Sequence, residues 1–176
     1  MKDIDVNKIF PCQIRELNLS CYGCCGREFG SKKEVEKDID INTYEFSLLE
    51  EYDEKELLEF RDRLDNDRWA LTPSGICANL IDFDDGCYAC PLHNKIQELV
   101  PKSKFVAPEK DLRIGHCDEN YECETFILWK QISDSQKEEY VKWLSKKVPI
   151  NHYDYSTKNI DGILIKEFLD ENYSNY

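Results

Sequence analysis

Apolar residues recur at helical spacing along several stretches of the chain, separated by short polar turns. Ser31 followed by Glu34 fits a capping box, in which hydroxyl and carboxylate satisfy each other's exposed backbone donors, so a helix is expected to start just beyond. From Glu54 to Leu64, the residues Leu57, Leu58, Phe60 and Leu64 share one side, with Glu54, Lys55, Glu59 and Arg61 to Arg63 largely on the other, which predicts an amphipathic helix. The segment RWALTPSGICANLIDFDDGCYAC holds two short apolar runs around Asp84-Asp85-Gly86, a turn that joins two small strands or closes a loop. Pro91 suits the first turn of a helix running through Ile96 to Val100, and Pro101 stops it. Beyond Pro108, DLRIGHC is expected to be extended, and Glu119 to Ile132 predicts either a helix or, through its TFILW core, a strand. Tyr140, Val141, Leu144 and Val148 mark another amphipathic helix, and Ile160, Ile163, Leu164, Phe168 and Leu169 mark the last.

This pattern predicts a mainly α fold with little β, in which cysteine-rich metal-binding loops lie between helices. The expected division is a cysteine-cluster metal-binding domain over 1–132 and a helical C-terminal extension over 133–176, packed on it or on a partner. The aromatic residues of these helices are chiefly core, with any exposed remainder available for protein contact.

Charge narrows the function classes. With 23 basic and 36 acidic side chains the formal charge is −13, a field that repels phosphate backbones and anionic membrane surfaces, so neither nucleic acid nor membrane is an expected partner. The opening MKDIDVNKIFPC lacks the apolar run of a secretory signal, and no later run approaches the length needed to span a bilayer; a soluble cytoplasmic protein is expected. In that compartment thiols stay reduced, and the nine cysteines are an odd number, so metal ligation is favoured over disulfides.

The cysteines fall into groups: Cys12; Cys21, Cys24 and Cys25; Cys77; Cys87 and Cys90; Cys117 and Cys123. Cys21/Cys24 and Cys87/Cys90 have the C-x-x-C spacing that turns both sulfurs to one side of a tight turn, which suits one metal centre. Adjacent Cys24 and Cys25 cannot share that geometry. Consecutive side chains diverge by about 100° on a helix and face opposite ways on a strand. The pair is therefore expected to serve different centres, different atoms of one cluster, or different roles.

Setting the more distant Cys12 aside leaves Cys21, Cys24, Cys25, Cys77, Cys87, Cys90, Cys117 and Cys123, enough for two four-cysteine sites. An iron-sulfur cluster is the expected cofactor, with zinc as the alternative: Cys90-Pro91 matches the step that closes many cluster-binding loops, and the groups are scattered instead of forming compact zinc knuckles. Amide donors near Gly23, Gly26 and Gly86 suit the negative charge of a thiolate centre. His93 and His116 are expected beside a centre or in solvent, His152 to be structural or exposed, and Asp82, Asp84 and Asp85 to form a solvated acidic turn without the full calcium-loop pattern.

At Cys21-Tyr-Gly-Cys24-Cys25 and at Cys77-Ala-Asn-Leu80 followed by Cys87, the chain resembles the YkgJ-like cysteine-cluster family, a zinc- or iron-chelating domain. The resemblance covers mainly residues 12 to 123. It departs from the family where the first cysteine of the pattern falls at Asn18, and where CYACPLH replaces the expected Arg-Pro-x-x-Cys. A chelating domain is what the resemblance implies, without a reaction. Three functions follow as expectations: an iron-sulfur protein acting as an electron-transfer or maturation accessory subunit of a larger assembly; a structural zinc module for protein contact; and a thiol redox enzyme using Cys24 or Cys25, activated by Arg27 or His116.

Overall fold

The computed structural model describes residues 10–64, 70–83, 86–96, 105–118, 120–147 and 150–173. In chain order its regular elements are β1 (Gln13–Ile14), β2 (Leu19–Ser20), α1 (Lys32–Phe46), α2 (Glu54–Asp62), β3 (Ile81–Asp82), β4 (Tyr88–Ala89), α3 (Glu124–Trp129), α4 (Asp134–Lys146), α5 (His152–Ile160) and α6 (Ile163–Tyr173). The chain is thus mainly α with little β, and it folds as two compact units, one of Met1–Cys24 with Glu122–Tyr176 and one of Cys25–Tyr121. The divisions fall at Cys24/Cys25 and Tyr121/Glu122, whereas the sequence pattern placed the boundary after residue 132.

In the first unit, β1 and β2 pair antiparallel, Gln13 opposite Ser20 and Ile14 opposite Leu19. A 3-10 turn over Arg15–Leu17 reverses the chain, and Asn18 closes it at φ 50°, a left-handed conformation that asparagine tolerates better than most residues. Helices α3 to α6 bury Trp129, Tyr140, Val141, Trp143, Leu144, Tyr155, Leu164, Ile165 and Phe168 against Ile14 and Leu19 of this hairpin. Trp129, Trp143 and Phe168 ring Tyr140 at centroid separations of 5.4 to 5.9 Å, the range in which aromatic pairs add to simple burial. Ser133 and Gln136 form a capping box that starts α4.

In the second unit, Ser31 and Glu34 form the expected capping box, and α1 buries Val35, Ile39, Asn42 and Phe46. The predicted helix after Asp53 is α2, which buries Leu57 and Phe60. The short hairpin of β3 and β4 pairs Ile81 with Ala89 and Asp82 with Tyr88. Phe46, Leu57, Phe60, Ile81, Ala89, Leu92, Ile96, Phe105 and Leu112 make this unit's core.

Several expectations are revised. DLRIGHC is not extended: Asp111 accepts from the Arg113 amide at 3.1 Å, Gly115 takes φ +79°, and the amides of His116 and Cys117 return to the Arg113 carbonyl, so the segment closes into consecutive turns. The TFILW segment is helical and shorter than the predicted stretch. The final predicted helix is α6, but Ile160 belongs instead to α5, a helix the sequence pattern did not mark, and Gly162 at φ +67° separates the two. Asp84 and Asp85 of the predicted turn, Leu64's neighbours 65–69, the helix beyond Ile96 with Pro101, and Val148 lie outside the described residues.

Candidate functional site

All four cysteines of the first unit come together. The ladder of β1 and β2 continues one step outward, where the Cys21 amide donates to the Cys12 carbonyl at 2.8 Å. The Tyr22 amide then donates to Ser156 Oγ at 2.9 Å, and the Ser20 amide to His152 Nδ1 at 3.0 Å, tying this segment to α5. Gly23 follows because a Cβ there would stand 2.7 Å from the Ser156 carbonyl oxygen. That close approach sets the turn leading to Cys24. Cys123 sits at the residue before α3.

The thiols feel one another. Burial pushes the Cys12 thiol well above its ordinary range, and the neighbouring sulfurs of Cys21, Cys24 and Cys123 push it further. Cys21 is pushed up to about 12 by burial and by Cys24, against the opposing pull of the Gly23 amide and the Asn159 side chain. Both residues keep some exposed surface, so the enclosure is local to the sulfur. Asn159 is itself buried. Its amide donates to the Pro11 carbonyl at 3.1 Å, and the Thr125 hydroxyl donates to its backbone carbonyl, so one side chain and its backbone hold the segments bearing Cys12 and Cys123. The Tyr155 hydroxyl adds a bond to Pro11 O at 2.8 Å.

The second unit assembles its own group. The Cys77 amide donates to the Cys25 carbonyl at 2.6 Å, beside a bridge between Gly26 and Ile76. A Cβ on Gly26 would meet the Gly75 carbonyl oxygen at 2.4 Å, so glycine permits this approach. The loop after Cys77 turns on hydrogen bonds from the Leu80 amide to Cys77 O at 3.1 Å and from the Asn79 amide to Cys77 Sγ at 3.5 Å. Buried Asn42 of α1 clamps it, donating to Cys77 O at 3.2 Å and Leu80 O at 3.1 Å. Arg63 completes the clamp through Asn42 Oδ1, Asn79 Oδ1 and Ala78 O.

Cys90 lies beside this loop. Burial raises its thiol pKa, Cys77 and Cys117 raise it further, and the Leu92 amide and Arg113 pull the other way. Arg113 is the carbonyl partner of the Cys117 amide, at 3.2 Å, and its guanidinium grips Asp111 at 2.9 and 2.6 Å. Burial opposes the Arg113 charge, but Asp111, Cys90 and Cys117 outweigh it and hold the guanidinium protonated.

Cys87 precedes β4, its carbonyl accepts from Phe83 N at 3.0 Å, and, like Cys90, it packs on the core cluster.

The histidines are accounted for by polar partners. His116 is buried with Nε2 3.1 Å from Asn79 Nδ2 and Nδ1 3.9 Å from Asp62; burial and then Arg61 push its pKa down, with Asp62 opposing. His93 Nδ1 accepts from the Lys95 amide at 3.1 Å, and Asp82 N donates to Thr43 Oγ1 at 2.9 Å.

Among the described residues, which include all nine cysteines, none forms a disulfide, and no group of three or more His, Cys, Asp or Glu side chains is drawn into a metal-ion cage. The donor chemistry nonetheless suits a soft metal: grouped thiols, with backbone amides of Gly23, Asn79 and Leu92 directed at sulfur two residues back, the contacts that steady a thiolate centre. Burial raises the thiol pKa values seen here, the reverse of an activated nucleophile.

Sequence spacing alone left Cys12 outside the candidate set. The signal that recovers it is the hairpin, which needs Asn18 at the turn and puts Cys12 opposite Cys21. Asn42, Arg63, Asn79, Asn159 and Arg113, which position or face the cysteines, had no sequence signal of their own.

No protein-family model, curated protein or solved structure matches the chain. Among the described residues no helix is long and apolar enough to cross a membrane.

Proposed function

We propose that this chain is a cysteine-ligated iron-sulfur protein, an electron-transfer or maturation accessory subunit of a larger cytoplasmic assembly. The observation that carries this reading is the sorting of the cysteines into a thiol group in each unit, with backbone amides facing sulfur. Cysteine thiolates hold iron-sulfur clusters, and hydrogen bonds to the sulfurs tune their potential. Cys21, Cys24, Cys25, Cys77, Cys87, Cys90, Cys117 and Cys123 are the ligand pool read from sequence, to which Cys12 is added by its neighbours. The cluster would supply one-electron chemistry when bound; the chain groups the cysteines within each unit and fixes their loops through Asn42 and Asn159.

A macromolecular partner fits the surface. On α1, Ile41 and Tyr44 are 44 and 65 % exposed and lie opposite the buried face, and Leu48, just past the helix end, is 61 % exposed. Anaerobically purified protein should absorb as a cluster, bleach reversibly with dithionite and recover on mild oxidation. Absence of any dithionite-sensitive absorbance would count against electron transfer.

The same thiols fit zinc, and the turns carrying an amide two residues after a cysteine favour a structural module as the second reading. Under that reading chelation unfolds the cysteine-bearing loops.

A further inference from the structure

Resting on the reading that the grouped thiols bind metal, we propose that the chain holds two separate metal centres: Cys12, Cys21, Cys24 and Cys123 ligate one, and the other draws its ligands from Cys25, Cys77, Cys87, Cys90 and Cys117. The adjacent residues Cys24 and Cys25 are thereby divided between the two.

The partition follows from local geometry in each unit. The first unit contains four cysteines: Cys12 and Cys21 joined through the hairpin ladder, Cys24 one turn later, and Cys123 at the start of α3. All four lie within electrostatic reach of Cys12. The second unit contains the other five. Cys25 is pinned to Cys77 by a backbone bond, and Cys77 and Cys117 are the sulfurs that act on Cys90. The fifth, Cys87, precedes β4 as Cys90 follows it, and both pack against that unit's core.

Adjacency explains itself on this arrangement. Consecutive side chains that cannot chelate one ion suit two ions well, and each is set by its own glycine. Gly23 lies against Ser156 in the first unit, and Gly26 lies against Gly75 in the second. The sets also differ in charge. Arg113 stands by Cys90 and Cys117, whereas the buried phenols of Tyr140 and Tyr155 neighbour Cys21. The centres are therefore inequivalent, and the one beside the guanidinium holds an extra electron more readily. Binding closes each group: with zinc the thiols release their protons to solvent and no electron moves, and with two ferrous ions, two ferric ions and four sulfides a four-iron cluster forms on four thiolates with release of four protons, so no further oxidant or reductant is needed.

The test is thiol footprinting of the full wild-type chain, prepared anaerobically without metal and then loaded with zinc alone or with equal amounts of ferrous and ferric iron plus sulfide. Alkylation of each cysteine is followed by mass spectrometry as the metal is raised. Protection should appear in two sets that rise separately, Cys12 with Cys21, Cys24 and Cys123, and Cys25 with ligands among Cys77, Cys87, Cys90 and Cys117. Because the wild-type chain is used, no variant has to fold. In parallel, Cys12→Ser and Cys24→Ser should each lose about half of the bound metal, with no further loss when combined, and Cys24→Ser with Cys25→Ser should lose nearly all of it. Protection of Cys24 and Cys25 together in one set, or a Cys24/Cys25 double variant no worse than either single one, overturns the partition while leaving metal binding intact. A chain that takes up neither zinc nor iron overturns the proposed function itself, and the partition with it.

Discussion

Asn42→Leu tests how the second unit holds its cysteine loop. Asn42 is 1 % exposed and its side-chain amide donates to Cys77 O and Leu80 O, while its oxygen accepts from Arg63. Leucine has similar bulk, so the change removes hydrogen bonds without opening a large cavity. The Cys77 carbonyl keeps a second donor in the Leu80 amide, whereas the Leu80 carbonyl is left buried with its partner gone. An orphaned buried acceptor costs about 1–3 kcal/mol and a lost bond to a still-satisfied one about 1 kcal/mol. The total is therefore about 3 kcal/mol, roughly a hundredfold in the opening equilibrium of the unit. Hydrogen exchange read by mass spectrometry over peptides covering 70–83 should speed up by that factor, while peptides covering 10–24 keep their protection. Asn42→Asp retains the acceptor for Arg63 and loses the donors, so it should follow Asn42→Leu. A change below about 0.5 kcal/mol, or equal acceleration in both regions, would refute the clamp.

Other outcomes follow from the same contacts. Asn159→Leu should destabilise the first unit by about 2–3 kcal/mol, seen as faster exchange over 10–24 and 122–130, since Pro11 loses one of two donors and the Thr125 hydroxyl loses Oδ1. Gly23→Ala and Gly26→Ala should each lower the stability of their own unit by a few kcal/mol, about 2–4, because the added methyl meets backbone oxygen; a melting profile unchanged in either would contradict the close approach. Glu171 is held below the usual carboxylate range by the Trp143 indole N–H at 2.6 Å and by Lys147. A depressed carboxylate pKa gives stability that is present above about 4.3, the unfolded value, and is lost as pH falls through the folded one. Trp143 emission should therefore change only below about pH 4.3, and Glu171→Gln should abolish the step. Arg113→Gln should weaken metal retention at the cysteines of the second unit and spare those of the first, as metal analysis of selectively alkylated protein would reveal.

Local signals were legible in the chain wherever one residue type dictates its surroundings. Ser31 and Glu34 predicted the start of α1, and the spacing of Leu57 and Phe60 predicted α2, because capping and periodicity act within a few residues. The division between the two units falls between Cys24 and Cys25, the adjacent pair whose side chains were expected to diverge. What escaped reading depends on contacts far apart in sequence. Cys12 joins its group through a ladder closed at Asn18 and through Asn159, and Cys77 is held by Asn42, 35 residues away. Helix α5 begins with an Asn151 cap, a weaker signal than a capping box, and two of its three buried residues are the polar Ser156 and Asn159, so periodicity did not mark it and its last residue, Ile160, was read as part of the next helix.

The central claim, a cysteine-ligated iron-sulfur protein, is tested most directly by measuring iron, zinc and acid-labile sulfide together in the anaerobically prepared full-length chain. The account predicts iron and sulfide in comparable amounts, with cluster absorbance and little zinc. Colourless protein carrying stoichiometric zinc and no sulfide would contradict it.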